Sequence, residues 1–250
     1  MTNAAQHIKV IATSLQGSLH KSKGLPCQDY CCSKVLKNKL VAVVSDGAGS
    51  ASYSQIGARL ICKTLCDSLI HSNLSNIRED VINAVNTARE KLLLHRLNKT
   101  KDENGLINFA ATFVGVFCYH NSGIFFHIGD GAGIAFKHGE YDKMIISEPA
   151  NGAFSCETFF YTMDDWQDYL RFTTFENIDR LILMTDGVSG FVFADDFYKI
   201  RSNFFLPIVE YLENTKTKKQ ALPALINTLN DERAQRLNAD DKTFLWAKLP

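Results

Sequence analysis

Three aspartates stand where their carboxylates could share one reaction centre. Each of them follows a short apolar run and is itself followed by glycine. The runs cover residues 40–45, 124–129 and 180–185, and the aspartates are Asp46, Asp130 and Asp186. Short apolar runs of this kind that end at glycine are typical of buried strands. A further run, 244–247, is preceded by two carboxylates, Asp240 and Asp241.

Carboxylates at the ends of neighbouring strands would collect at one edge of a sheet. Like charges placed so close repel one another, and the cluster is costly unless a cation lies among them. Mg²⁺ and Mn²⁺ prefer oxygen ligands in octahedral geometry and usually keep several waters. The pattern therefore predicts a divalent-metal site built from Asp46, Asp130, Asp186 and Asp240, to which Gly47 could add its carbonyl. The alternative interpretation is that each Asp-Gly pair is only a turn after a strand.

The rest of the chain predicts the elements that must position these aspartates. Apolar residues recur at helical spacing through 56–69 and 81–92, and again at about 206–212 and 220–237. Further strands are predicted at 109–118, 133–137 and 141–146. The order is strands, two helices, more strands, two helices and a closing strand, without a linker or an internal repeat. We therefore predict one α+β domain over 1–250, with sheet sandwiched by helices.

One segment, 148–177, does not fit a regular element. It is rich in aromatic and acidic residues. A loop of that length inside a compact domain is usually functional. We predict that it forms a flap over a site.

The composition is that of an ordinary globular protein. Apolar residues make up 46% and charged residues 22% of the 250, and 27 Lys plus Arg balance 27 Asp plus Glu. Proteins that bind nucleic acid or anionic membranes normally carry a basic excess, so neither partner is predicted. The longest apolar runs are far shorter than the roughly 20 residues of a membrane span. The polar N-terminal segment carries no apolar export signal, which favours a cytoplasmic location.

Several other kinds of hydrolase chemistry lack their motifs. The seven cysteines cannot all be paired, and none is followed six positions later by the arginine that a cysteine-dependent phosphatase needs. We predict reduced thiols used as small apolar side chains. The chain also lacks the Asp-x-Asp of haloacid-dehalogenase phosphotransferases, the Gly-x-Ser-x-Gly of serine hydrolases and the Gly-x₄-Gly-Lys of P-loop enzymes.

Taken together and in order, the motifs resemble those of the metal-dependent, type-2C protein serine/threonine phosphatases. The resemblance covers about 17–248, and residues 151–152 and 157–160 look like a segment of a bacterial branch of that family. The motifs that carry it are Gln28-Asp29, Ser45-Asp46-Gly47-Ala48-Gly49, Gly129-Asp130-Gly131, Thr185-Asp186-Gly187 and Asp240-Asp241-Lys242-Thr243. The resemblance implies a four-layer α-β-β-α sandwich, with two central antiparallel sheets flanked by helix pairs.

The resemblance also implies a centre of two Mn²⁺ or Mg²⁺ ions bridged by a water or hydroxide, which attacks phosphorus directly. By matched position, Asp46 would bridge both ions and Gly47 would offer its carbonyl to one of them. Asp186 and Asp240 would be the other ligands of the first ion. These three aspartates are the predicted catalytic residues.

Three more positions are implied as metal-binding. Gln28 and Asp29 match the pair near the second ion, partly through waters, and Asp130 matches a carboxylate that can help to bind a third, weaker ion. The implied partners are phosphorylated proteins and a cognate Ser/Thr kinase.

The chain departs from the family pattern where the substrate phosphate is held. Family members commonly carry an arginine five residues before the position of Asp29, and this chain has Gly24 there. Lys23 or His20 could substitute, although neither copies the bidentate fork of a guanidinium. Two hypotheses follow: a phosphatase that hydrolyses phosphoserine and phosphothreonine in proteins, or a catalytically weak or inactive phosphatase-like regulatory module.

Overall fold

The computed structural model describes residues 7–97, 105–149, 158–193 and 200–250. These residues form two five-stranded antiparallel sheets. The strands are β1 (Lys9–Leu15), β2 (Tyr30–Leu36), β3 (Lys39–Ser45), β4 (Phe113–Tyr119), β5 (Ser122–Ile128), β6 (Ala132–Phe136), β7 (Ile145–Ser147), β8 (Arg171–Phe175), β9 (Arg180–Met184) and β10 (Lys242–Lys248). The helices are α1 (Ser18–Lys23), α2 (Ser54–Leu69), α3 (Ile77–His95), α4 (Asp186–Val192), α5 (Ser202–Asn214), α6 (Lys218–Leu229) and α7 (Glu232–Leu237).

The order of strands brings particular strand ends together. The first sheet runs β2-β3-β4-β5-β8 and the second β1-β10-β9-β6-β7. In the first sheet β3 and β5 both pair antiparallel with β4, so they end at the same edge, and Tyr30 pairs with Ser45 there. In the second sheet β10 is antiparallel to β9, so the start of β10 lies beside the end of β9. Each sheet therefore gathers on one edge the strand ends that carry the predicted aspartates.

Three apolar layers hold the sheets and helices together. The middle layer lies between the sheets and includes Leu40, Val44, Leu183 and Leu245. The outer face of the first sheet packs on α2 and α3, and that of the second on α5 and α6 with the shorter α4 and α7. Strands buried on both faces read as continuous apolar runs. This arrangement confirms the predicted α+β, four-layer α-β-β-α sandwich.

The helical stretch predicted over 220–237 is two helices in the structure. Helix α6 ends at Leu229, and α7 begins at Glu232. Asp231 caps α7, because its carboxylate accepts a hydrogen bond from the backbone N–H of Arg233 at 2.9 Å. An aspartate in that position satisfies a free N–H at the start of a new helix. Within the described ranges, no helix has the length and apolar character needed to cross a bilayer.

The segment 148–177, predicted as a flap, is partly built into the fold. Its last residues, Arg171–Phe175, form β8 at the edge of the first sheet. Tyr161 and Trp166 are buried in the core beside α2 and α3, and the Tyr161 hydroxyl donates to the Gly57 carbonyl oxygen at 3.0 Å. Residues 150–157 lie outside the described ranges. They include the Asn-Gly pair at 151–152 and the glutamate at 157 quoted for the family resemblance.

Candidate metal centre

Three of the predicted aspartates meet in one place. Asp46 directly follows β3, Asp130 stands two residues after the end of β5, and Asp186 begins α4 two residues after the end of β9. One carboxylate oxygen of each lies within 4.8 Å of the others. All three side chains are half-buried. The sheets thus bring together residues that are more than fifty positions apart in sequence.

Asp29 joins this group from the start of β2. It is buried, and its Oδ2 accepts a hydrogen bond from the Thr185 hydroxyl at 2.8 Å. It also lies close to Asp46, since its charge raises the pKa of the Asp46 carboxyl group. Gln28, next to it, is buried as well. When no cation is present, the repulsion between carboxylates this close together favours their protonated forms.

The electrostatics of the group are those of buried carboxylates that repel one another. Burial, with the neighbouring carboxylates Asp130, Asp29 and Asp240, raises the pKa of Asp186 to about 8. Burial and the charges of Asp29 and Asp186 raise the pKa of Asp46 well above its usual range. The pKa of Asp29 rises to about 6, chiefly through burial. In the absence of metal, the group therefore retains protons near neutral pH.

The donor atoms fit a hard divalent cation. Asp29 Oδ1, Asp130 Oδ1 and Gln28 Oε1 are buried and have no hydrogen-bond partner in the described part of the chain. A buried oxygen without a donor costs free energy. Mg²⁺ or Mn²⁺ would satisfy such oxygens and would also offset the repulsion that raises the carboxyl pKa values.

Asp240 stands at the border of the group. Its charge raises the pKa of both Asp130 and Asp186, which places it beside them. It belongs to a second group of potential ligand atoms, with His20 and Asp241, that also lie within 4.8 Å of one another. Gly47 is buried and pairs with Ala111 in an isolated β-bridge. Both residues are thus close to the predicted site.

The two residues proposed to hold the substrate phosphate lie in different surroundings. His20 is buried, and its Nδ1 lies 2.8 Å from Asp241 Oδ2, although out of line for a well-directed hydrogen bond. Lys23 is exposed in the last turn of α1, which ends at Gly24 in the left-handed conformation. The burial of His20 against a carboxylate does not favour its use as a phosphate ligand. For Lys23 the role stays a prediction.

Several side chains that the sequence reading gave no role support the aspartates. Thr158 donates to Asp130 Oδ2 at 2.9 Å. Thr185 Oγ1 accepts the backbone N–H of Thr243 at 3.0 Å while its hydroxyl donates to Asp29. Thr112 Oγ1 accepts the N–H of Asp46 at 3.2 Å. The threonine before Asp186 was visible in the motif, but spacing alone carries no signal for contacts between residues 156 positions apart.

A groove lies beside the carboxylates. It has a volume of about 950 Å³ and runs between residues 105–110 and 158–165. Thr158, which bonds to Asp130, is part of its wall. Apolar side chains such as Ile107 and Phe159 and the acidic Asp164 line it too. The groove is therefore large enough for a peptide segment and opens next to the aspartate group.

A comparison with protein-family models identifies the chain. The model described as Protein phosphatase 2C matches residues 16–230. The chain belongs to the protein phosphatase 2C family. This confirms the family predicted from the motifs. The matched residues include Asp29, Asp46, Asp130 and Asp186, whereas Asp240 lies beyond the end of the match.

Individual phosphatases of this family are similar over nearly the whole chain. Serine/threonine-protein phosphatase 3 of Escherichia coli (strain K12) is 27% identical over 255 residues, which cover 96% of this chain and 99% of that protein. PppA, a key regulatory component of T6SS in Pseudomonas aeruginosa, has a similar fold, with a TM-score of 0.67 and 14% identity over 98% of this chain and 99% of PppA.

A second solved structure is similar in the same way. The catalytic domain of the serine threonine protein phosphatase PstP, in complex with 2 manganese ions, has a TM-score of 0.65 and 16% identity. The alignment covers 97% of this chain and 98% of that domain. At sequence identities of 14% and 16%, the similarity to these two structures establishes the fold alone.

Proposed function

We propose that this chain is a metal-dependent phosphatase that hydrolyses phosphoserine and phosphothreonine phosphomonoesters in proteins. The observation that carries the proposal is the meeting of Asp46, Asp130 and Asp186 within 4.8 Å. Membership of the protein phosphatase 2C family and the likeness to named Ser/Thr phosphatases support it. The alternative, a regulatory module without turnover, is not favoured, because each carboxylate that the resemblance requires is present.

Two Mn²⁺ or Mg²⁺ ions would be held by the aspartate group. Asp46 would be a ligand of both ions. The Gly47 carbonyl, Asp186 and Asp240 would complete the coordination of the first ion. Gln28 and Asp29 would help to bind the second ion, and Asp130 would help to bind a third ion more weakly. Bound ions supply Lewis acidity, which lowers the pKa of a coordinated water and neutralises charge on the phosphoryl group.

The residues of the chain hold this arrangement, and the thiol nearest in sequence to Gln28 is a poor nucleophile. Thr185 and Thr158 each donate to one oxygen of a candidate ligand, Asp29 and Asp130, and so leave the other oxygen available. Cys27, the cysteine closest in sequence to Gln28, has a thiol pKa that burial and nearby carboxylates raise far above neutral pH. A thiolate nucleophile is therefore disfavoured there.

The substrate protein would lie in the groove beside the aspartates. Its phosphorylated residue would reach the metal site past Thr158, and its flanking residues would contact the wall that contains Ile107 and Phe159. Lys23 stays the candidate for a phosphate contact. A cognate Ser/Thr kinase and a cytoplasmic location stay predictions.

Hydrolysis assays test the proposed function. We expect the wild-type chain to hydrolyse p-nitrophenyl phosphate and a phosphothreonine peptide with Mn²⁺, and to lose that turnover with a chelator. Asp186→Ala should lower kcat by about a hundredfold or more, because metal charge stabilisation is worth several kcal/mol. Asp168→Ala, an exposed carboxylate outside the aspartate group, is the matched control and should retain full activity. A wild-type chain without metal-dependent turnover would favour the regulatory module.

A further inference from the structure

We propose that Asp241 is a positioning residue that holds the segments carrying Asp29, Asp186 and Asp240 in place, rather than a metal ligand itself. The inference rests on the proposed function and goes beyond it, since no role follows for Asp241 from the predicted ligand set. It concerns the residue directly after Asp240, where the loop enters β10.

The carboxylate of Asp241 joins two distant parts of the chain. Oδ1 accepts the backbone N–H of Gly17 at 2.7 Å, and Oδ2 accepts the backbone N–H of Gln28 at 2.5 Å. His20 Nδ1 lies 2.8 Å from the same Oδ2. Asp241 itself is only 1% exposed. Both oxygens are therefore occupied by donors, which distinguishes Asp241 from Asp29 and Asp130, each with one oxygen free of donors in the described ranges.

The backbone of Asp241 contacts two more parts of the site. Its N–H donates to Asp240 Oδ1 at 2.8 Å and so orients that carboxylate. Its carbonyl oxygen lies against Gly187, where a Cβ would approach to 1.8 Å. Only glycine allows that approach next to Asp186. Asp241 thus touches Asp240, the residue before Asp29 and the residue after Asp186.

The loop that carries Asp240 and Asp241 is closed on itself. Lys242 is fully buried, and its ammonium donates to the carbonyl oxygens of Asn238 at 2.6 Å and Asp240 at 2.9 Å. The Asp240 N–H donates to Asn238 Oδ1 at 2.9 Å. A loop held this way transmits a displacement of Asp241 to Asp240.

The chemistry of position 241 requires a carboxylate. Two backbone N–H groups point at its two oxygens, and a buried carboxylate is an acceptor at both. An asparagine would place an NH₂ group opposite one of the N–H donors, which leaves that donor unsatisfied. Residues that orient metal ligands typically change metal affinity or activity by about 10- to 100-fold when they are substituted.

The test compares Asp241→Asn with the wild-type chain. Mn²⁺ affinity is measured by calorimetry on the full chain, together with the thermal midpoint of the metal-free protein and kcat and KM for p-nitrophenyl phosphate. We expect Mn²⁺ affinity to fall by about tenfold or more, and excess Mn²⁺ to recover part of kcat. Asp231→Asn is the matched control, because Asp231 also accepts a backbone N–H but only caps α7. It should bind Mn²⁺ like the wild type.

Two outcomes overturn the inference alone. One is unchanged Mn²⁺ affinity in folded Asp241→Asn while the wild type binds Mn²⁺ and hydrolyses the substrate. The other, if Asp241→Asn does not fold, is unchanged affinity in Asp241→Glu, which keeps the carboxylate but displaces it from the Gly17 and Gln28 N–H groups and for which we expect a several-fold loss. A wild-type chain that binds no Mn²⁺ would overturn the proposed function, and this inference with it.

Discussion

At the residue scale, the aspartate group is unfavourable on its own and becomes favourable with a cation. Burial and mutual repulsion raise the carboxyl pKa values, so the metal-free group keeps protons that isolated aspartates would release. Metal binding must displace those protons. The affinity for metal should therefore rise with pH through the range in which Asp29 and Asp186 titrate, about 6 to about 8.

This predicts how the metal-free protein responds to pH. With a folded pKa of about 8 for Asp186, the folded state binds a proton that the unfolded state has already released above about pH 4. The unfolded state binds fewer protons over that window, so stability falls as pH rises from about 4 to about 8. In Asp186→Asn that contribution is absent. In the presence of chelator, the thermal midpoint of the variant should increase relative to that of the wild type as the pH rises from 5 to 8.

The matched comparison is the same pair of proteins with saturating Mn²⁺. There the wild type should gain thermal stability with pH and the variant should gain little. Parallel pH curves for the two metal-free proteins would contradict this account of Asp186.

The sequence was informative about these residues where local signals exist. Asp46, Asp130 and Asp186 each follow an apolar run, and the structure brings them together. Asp241 was part of a motif but its role was not predictable, because its carboxylate contacts lie 224 and 213 positions away. His20 was proposed as a phosphate ligand from its position in the sequence before Asp29. Spacing could not reveal that the side chain is buried against Asp241.

At the element scale, the start of α2 and the 3₁₀ turn Ile107–Phe109 hold the strand end that carries Asp46. The N–H of Tyr53 donates to the carbonyl oxygen of Asn108 at 2.8 Å, and that of Ala48 donates to Ala110 at 2.9 Å. The helix approaches this turn at Gly57, where a Cβ would lie 2.0 Å from the Phe109 carbonyl oxygen. The turn and the helix therefore pack too closely for any larger side chain.

Gly57→Ala should consequently destabilise the fold. Inserting a methyl group into a packed contact of this kind costs about 3 kcal/mol, which denaturant unfolding would measure. Gly190→Ala in α4 is the matched control, since its Cβ would meet no atom of the described residues within 4 Å. It should be neutral or stabilising by up to about 1 kcal/mol. Equal effects of the two substitutions would show that the α2 contact is looser than described.

The elements themselves were only partly predictable. The long periodic helices and the apolar strands β3, β5, β9 and β10 agree with the sequence patterns. The edge strand β2 was not predicted, because most of its residues are exposed or half-buried and give no continuous apolar run. β8 was hidden in a segment rich in acidic residues. Helix α7 was merged with α6, because Asp231 was not recognised as a cap.

At the scale of the whole molecule, the groove is the proposed binding site for a protein substrate and is separate from the proposed metal site, where the chemistry would take place. A small phosphate ester needs only the metal site, whereas a phosphopeptide would also contact the groove wall. Ile107 is 68% exposed there and contributes little to the core. The organisation of 1–250 as a single domain stays a prediction.

Ile107→Lys should therefore raise KM for a phosphothreonine peptide by about fivefold, equivalent to about 1 kcal/mol of lost apolar contact. Hydrolysis of p-nitrophenyl phosphate should not change. Leu94→Lys is the matched control, because Leu94 is 59% exposed on α3 and does not line the groove. Equal kinetics of all three proteins on the peptide would place the substrate elsewhere.

The pairing of β1 with β10 has a consequence for how the protein is made. Lys9 pairs with Lys248 and Leu15 with Lys242, and β10 lies between β1 and β9. On the ribosome β1 is synthesised well before its partner strand, and β9 keeps an unpaired edge until residues 242–248 appear. Asp240 arrives with that same strand. Synthesis of β10 thus joins β1 to the rest of the second sheet and delivers the candidate ligand Asp240 in the same step.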